Sequence, residues 1–458
     1  MTTAAAPRGL VLTSDELAAR AYPGAVKLYV WLHCTWFALY ALLGKGFAYA
    51  GYPPIYAGEV LLFFAVCAVF LTQRSAAPLL TPIGAIMVCF VAWQIMRMAP
   101  YVDVYGINAF RDSVLWAYAA FAWAVAAMML RIRRPLHLVL TRYRKFARIY
   151  LVVGPATWLM TFYLSDKLPV WPHTTVTIPL IKAGDYAVQL AGIFAFSTLG
   201  LSGPNTAWWT AAAIVEGALG MTNRGGMVAF LSASALALAA RPRVGKVVTV
   251  TAIAMTLIAA AGAFDVRFTP PGSTREVSVD MLTESLRSVI TPTDSADLES
   301  TKGWRLNWWS HIIDYTIDGP YFWNGKGYGI NLADSDGFQG GPTLEPLRSP
   351  HNSHLTFLAR AGVPGFLLWV SLQLTWLASM ARAYFRARFT SQYDWMALFA
   401  WITAFWLAFM INASFDVSLE GPMAGIPFWT VFGIGWASQM IFSSQMTALR
   451  VRSDDARR

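Results

Sequence analysis

His351, Asn352 and His354 stand in SPHNSHLTFLARAGVPGFLLWV, residues 349–370, directly before a stretch apolar enough for lipid. An imidazole near neutral pH can take a proton from a hydroxyl, the ordinary work of a general base. A lone loop histidine is more often only solvated, so the setting has to decide. Pro350 stiffens the approach to His351, and Asn352 can hydrogen-bond locally. The helix behind them would anchor the site at a membrane surface. A base placed there meets one reactant from the water and another from the lipid.

Three arginines could supply fixed positive charge. Arg224 lies in MTNRGGMVAF, 221–230, at the outer end of an apolar run. A snorkelling arginine at a helix end is common, but outer-face turns should be poor in arginine. Gly225 and Gly226 would let the backbone approach a ligand closely. A guanidinium at that boundary can grip a phosphate through two parallel hydrogen bonds. Arg305, in GWRLNWWSHIIDYTIDGP, could add a second cation if the ligand carries more charge than one arginine offsets. Arg348, three residues before His351, could serve instead. Glu216, two helical turns before Arg224, sits inside an apolar run, where an unpaired acid costs roughly 2–3 kcal/mol. It would pair with an arginine or belong to a proton path.

These residues need elements to hold them. Of 458 residues, 56% are hydrophobic and 13% charged, with a mean hydropathy of +0.47. A soluble chain would carry roughly a quarter charged residues. Runs of about twenty apolar residues recur, the length that crosses a bilayer as a helix. The chain is therefore expected to be an all-α polytopic membrane protein with about twelve transmembrane helices. They fall near 26–43, 55–72, 78–96, 113–130, 149–165, 187–200, 206–222, 226–240, 246–264, 363–381, 394–413 and 424–443. The opening MTTAAAPRGLVLTSDELAAR has no apolar core close behind its first basic residue, so the first span is expected to act as an uncleaved anchor.

The net charge of +10 would suggest nucleic acid in a soluble chain. Here basic residues crowd 131–148, 241–246, 382–388 and the tail, and twelve spans put all four on one side. The positive-inside rule makes that side cytoplasmic, with both termini. Cys34, Cys67 and Cys89 lie in apolar runs and read as small buried hydrophobes, with no metal or disulfide pattern.

Residues 1–264 thus carry nine spans, 265–362 form a large periplasmic loop or cap, and 363–458 carry spans ten to twelve and a cytoplasmic tail. In the cap, 302–320 reads as a helix with Trp308, Ile312 and Tyr315 on one apolar face; 276–290 is a weaker helix candidate. Asp334-Ser335-Asp336 resembles a metal-binding DxD, but nucleotide sugars are cytoplasmic and a polar turn fits better. Gly325-Lys326-Gly327-Tyr328-Gly329 lacks the strand that should precede a phosphate loop.

Taken in order, the Arg-Gly-Gly turn, the Arg-plus-Trp helix ending in Asp-Gly-Pro before GKGYG, and HNSHL…AGVPG resemble the O-antigen ligase and polymerase superfamily. FDVSLEGPMAGIPFW, 415–429, looks like that family's closing segment. The likeness runs over roughly 205–435. It implies a GT-C-like fold and transfer of a glycan from a polyprenyl (undecaprenyl) diphosphate carrier to an acceptor hydroxyl on the periplasmic face. No metal or other cofactor is implied. Carried over by motif, Arg224 and Arg305 would hold the diphosphate and His351 would activate the acceptor, with inversion at the sugar. Arg348, Asn352, His354 and Glu216 would be auxiliary, substrate-binding positions. The partners implied are the lipid-linked donor, a lipid A-core or carrier-linked acceptor and membrane lipids, at the bacterial inner membrane. A ligase is favoured over an exopolysaccharide polymerase only by the family's usual label. A transporter or flippase would show internal repeats and buried mid-membrane charges, and only Glu216 is of that kind. A non-catalytic envelope scaffold would need neither Arg224 nor His351.

Overall fold

The computed structural model describes residues 24–455 apart from 53–54, 71–75, 133, 173, 204–208, 215–222, 242–243, 266, 268–277, 279–295 and 340–346. Its longer helices are α1 (Gly24–Leu43), α2 (Ala57–Phe70), α3 (Pro82–Tyr105), α4 (Ile107–Ala117) and α5 (Ala119–Met129). Next come α6 (Pro135–Tyr163), α7 (Ala183–Thr198), α8 (Arg224–Ala240), α9 (Val244–Ala263) and α10 (Ala296–Ile313). The chain ends with α11 (Ser353–Phe389), α12 (Tyr393–Ala413) and α13 (Pro422–Asp455). A helix covers each expected span as far as it is described; in 206–222 residues 209–214 are helical, and 206–208 and 215–222 lie outside the described residues.

Four of the described helices, α1, α3, α11 and α12, are long and apolar enough to cross a bilayer, and α4 with α5 makes a fifth bent by 42°. This is a multi-pass helical membrane protein. The most apolar of the four, α12, lies at the centre of the bundle, against α7, α8, α11 and α13. Lipid gives helices no hydrophobic reason to associate, so shape and polar contacts must hold them. Here tryptophans do both. Trp376, Trp406 and Trp436 are buried, with N–H groups donating to Phe432 O at 2.9 Å, Gln373 Oε1 at 3.0 Å and Thr81 Oγ1 at 3.0 Å.

All three cysteines are free, but Cys67 and Cys89 are exposed and Cys34 only partly covered. The expectation of burial fails because a spanning helix is apolar on every side. An apolar run therefore does not say which face turns to the bundle.

The two ends of the bundle differ in character. At one, Arg144 donates to Leu201 O, Arg241 to Leu199 O and Tyr384 to Ala240 O, gathering the basic stretches that the sequence groups together. At the other, α10 and the loops around it form a small cap. Trp308, Ile312 and Tyr315 are buried there with Leu332, Ala333, Leu358 and Ala359, which agrees with the face read for 302–320. The weaker candidate at 276–290 lies outside the described residues, Ser278 excepted. Asp336 accepts from Trp308 Nε1 at 2.7 Å and pairs with Lys326, so the DSD stretch is a cap joint.

The glycine-rich GKGYG segment has a backbone task. Pro364 has no N–H to give Arg360 O, and α11 kinks at Gly362 (φ 69). The freed groups find partners in the crossing segment: Lys326 N donates to Ala359 O, Gly327 N to Arg360 O, and Val363 N to Phe322 O. The crossing is so close that a Cβ on Gly325 (φ 58) would stand 2.4 Å from the Arg360 carbonyl carbon. Gly325→Ala should therefore destabilise the protein by more than the ~1–2 kcal/mol of left-handed strain alone. Thermal unfolding in detergent would read this as a clear fall in Tm.

Candidate functional site

The capped end draws four chain segments onto one turn, residues 412–418, between α12 and α13. Asn412 and Ile411 carbonyls close that turn on Phe415 N and Ser414 N. Each of the three leading candidates touches it or opens a segment that does.

Arg224 is the first residue of α8, and the Asn223 side chain caps the helix by accepting from Gly226 N at 3.1 Å. Gly225 is where α8 meets the turn: a Cβ there would lie 2.7 Å from Phe415 Cβ. That glycine was expected to make room for a ligand. The room it makes is filled by Phe415, and the effect is to set Arg224 beside the 412–418 turn.

Arg305 reaches the same turn from the cap, its Nη1 donating to Phe415 O at 3.1 Å. Its helix also braces the histidine segment. Trp309 Nε1 donates to Pro350 O at 2.8 Å, and the Trp304 ring meets His351 edge-on at 6.4 Å between centroids.

His351 occupies a left-handed backbone conformation (φ 53), uncommon for a residue with a side chain. Such strain persists only where surrounding contacts over-determine it, and it clusters at functional positions. The imidazole Nδ1 faces Asp416 Oδ1 at 3.5 Å, and the side chain is 25% exposed. A proton on Nδ1, toward the carboxylate, leaves the Nε2 lone pair available; the tautomer is assigned here from its partner.

Asp416 is in turn gripped by Lys182, whose Nζ lies 3.0 Å and 3.1 Å from its two oxygens. Burial pushes the Asp416 carboxyl up, but the Lys182 ammonium and the His351 hydrogen bond outweigh it. They hold Asp416 below the usual carboxylate range. Burial works against the Lys182 charge as well, and Asp416 again prevails, leaving the ammonium above its ordinary value. Both partners therefore stay charged together. Just beyond, Glu420 accepts from Thr356 Oγ1 at 2.8 Å, and burial raises its carboxyl despite that bond.

Arg348, Asn352 and His354 are engaged elsewhere. Arg348 makes a two-pronged contact with Asp112, at 3.1 and 3.2 Å from Nη2, and donates to Gly329 O. Asn352 is buried and caps α11, its Oδ1 accepting from His354 N and Leu355 N. His354 has both ring nitrogens engaged, by Met410 O at 3.0 Å and Trp369 Nε1 at 3.1 Å. Glu216 lies outside the described residues.

Sequence reasoning missed Lys182 and Asp416 as partners. One signal was available: Lys182 directly precedes an apolar run, on the side where the positive-inside rule leads one to expect few basic residues, and a lysine there points to a local anion. Asp416 was hidden inside a stretch noticed only for its overall likeness.

The arrangement offers fixed cations, an imidazole and a charged carboxylate behind it. That set can stabilise a departing anion and remove a hydroxyl proton at one place. No curated protein matches the chain. Residues 209–370 match the sequence profile of the O-antigen ligase family, a window that holds Arg224, Arg305 and His351 and ends short of Asp416. Over that window, about a third of the chain, the protein is similar to the O-antigen ligase family.

Proposed function

We propose that this protein is a membrane glycosyltransferase of the O-antigen ligase type. It would transfer a glycan from a polyprenyl diphosphate carrier to an acceptor hydroxyl at the capped end of the bundle. The observation that carries the reading is the meeting of α8, α10 and the His351–Asp416 pair on the single 412–418 turn. Twelve spans, with both termini and the basic end in the cytoplasm, complete the reading and put the cap in the periplasm.

In this mechanism Arg224 and Arg305 face the diphosphate. His351 Nε2 takes the proton from the acceptor hydroxyl as its oxygen bonds to the anomeric carbon. The bond from that carbon to the phosphate oxygen breaks on the opposite side, which inverts the centre. The carrier diphosphate leaves as an anion, and its charge is met by the guanidinium groups, so no acid is required. Asp416 keeps the imidazole in the useful tautomer and balances the imidazolium that forms, and Lys182 holds Asp416 in place. Metal ions and nucleotides have no part in these steps.

The test is transfer in vitro by purified protein from a defined polyprenyl-diphosphate glycan, with lipid A-core and carrier-linked repeat as competing acceptors. Preference for lipid A-core is expected; preference for the carrier-linked repeat would make the protein a polymerase. Arg224→Ala and Arg305→Ala should each lower the rate by roughly 10²–10³-fold, the scale for loss of one preorganised charge-stabilising donor. Arg224→Lys should recover little, because an ammonium lacks the guanidinium's paired donors. A well-folded Arg224→Ala protein with undiminished transfer would remove that residue from the mechanism.

A further inference from the structure

At the other end of the bundle, α1 and α6 part to leave a lateral groove of about 370 Å³ whose floor is formed by α5, α12 and α13. Its size falls within the roughly 300–1,000 Å³ of ordinary ligand sites. Trp31, Phe37, Leu138, Phe146 and Ile149 give it an apolar wall. The polar atoms of His33, on α1, are already used: Nδ1 pairs with Tyr29 Oη at 3.0 Å and Nε2 with Thr430 Oγ1 at 2.8 Å. One charge lines the groove, Arg142, and its side chain is exposed. Among the described residues, no hydrogen bond or ion pair engages Arg142.

Its height in the bundle follows from α6 itself. Thr161, near the other end of that helix, accepts from Ile181 N, next to Lys182 of the site. Arg142 is nineteen residues earlier, or about 28 Å along a helix axis. A bilayer's hydrocarbon core is about 30 Å thick. A cation that far from the site stands at the opposite membrane interface, with an apolar groove running from it toward the bilayer centre.

We propose that this groove binds an anionic phospholipid of the leaflet opposite the site, its phosphate on Arg142 and an acyl chain along α1 and α6. Charge complementarity selects the headgroup, and the apolar walls take the chain. Basic side chains on both sides of Arg142, such as Arg134 and Lys145, favour an acidic lipid over a zwitterionic one.

The full-length protein, stripped of lipid in detergent, would be titrated with phosphatidylglycerol and followed by native mass spectrometry. Cys34 lines the groove and offers a second reading. In a Cys67→Ser/Cys89→Ser background, bound lipid should slow its labelling by N-ethylmaleimide. Saturable binding of phosphatidylglycerol over phosphatidylcholine is expected. Arg142→Gln should weaken it about fivefold, and Ala38→Phe should fill the groove and abolish both binding and Cys34 protection. Glycan transfer without added lipid should survive in both variants, which also shows that they fold. Equal binding by wild type and both variants would overturn the proposal. So would tighter binding of a polyprenyl monophosphate than of phosphatidylglycerol. A third reversal would be Cys34 protection that persists without lipid and vanishes when residues 1–20 are deleted, since the chain's own start would then fill the groove.

Discussion

His351→Asn should reduce glycan transfer by about 10²–10⁴-fold, the range a positioned general base supplies, while the protein inserts and melts as the wild type does. Asparagine is the informative choice because of the backbone. With φ at 53, position 351 lies where most side chains strain the chain by ~1–2 kcal/mol. Asparagine visits that region readily, so the variant keeps the turn and loses only the base. His351→Ala would confound the two effects. His351→Gly suits the same φ and opens a space the size of the ring beside Trp304 and Asp416. Imidazole added to that variant should restore part of the rate, a result that a purely structural histidine would not give. Normal transfer by a folded His351→Asn protein would end the assignment. Asp416→Asn should cost less than loss of the imidazole, because the base remains but its orientation and counter-charge are weakened.

Much of this was legible in the chain before any coordinates, and the reasons differ by feature. Run length and composition suffice to read a multi-pass helical membrane protein, because a bilayer demands length and apolarity; among the described residues four helices, five with the bent pair, meet that demand. The cap helix could be read because Trp308, Ile312 and Tyr315 recur at helical spacing before the Gly-Pro that closes it. Arg224 and His351 could be singled out because each breaks a rule of its surroundings. What no local pattern could show was the meeting point. Lys182, Arg305, His351 and Asp416 are separated by up to 234 residues and are brought together by the turn at the end of α12. The neighbours of that turn follow from helix packing, which is a property of whole faces. The same holds for Asn352 and His354, whose residue types suggest chemistry while their positions satisfy a helix cap and the side of a tryptophan.

The second large effect concerns Asp112, on α4, which no sequence pattern marks. Its carboxylate lies 2.9 Å from Arg360 and 3.1 Å from Arg348, and accepts from Gly329 N. Arg360 is only 2% exposed, and its remaining contacts are the carbonyls of Gly327 and Ile330 and the face of Tyr328. One acid thus neutralises a buried guanidinium and fixes the GKGYG crossing and the segment leading to His351. Asp112→Ala leaves that guanidinium without its anion, and breaking a buried pair on one side costs about 3–5 kcal/mol. The expected result is a large fall in Tm and, at temperatures where the protein remains folded, slower transfer through a loosened Arg348–His351 segment. Asp112→Asn, which removes the charge and keeps an acceptor at only one of the two oxygen positions, should fall between. Removing both charges tests the cause directly: Asp112→Leu with Arg360→Met should be more stable than Asp112→Leu alone, because no buried charge is then left uncompensated. If the double variant is no better than the single one, the carboxylate acts through its contacts to Arg348 and Gly329, and the charge on Arg360 is balanced by its carbonyls.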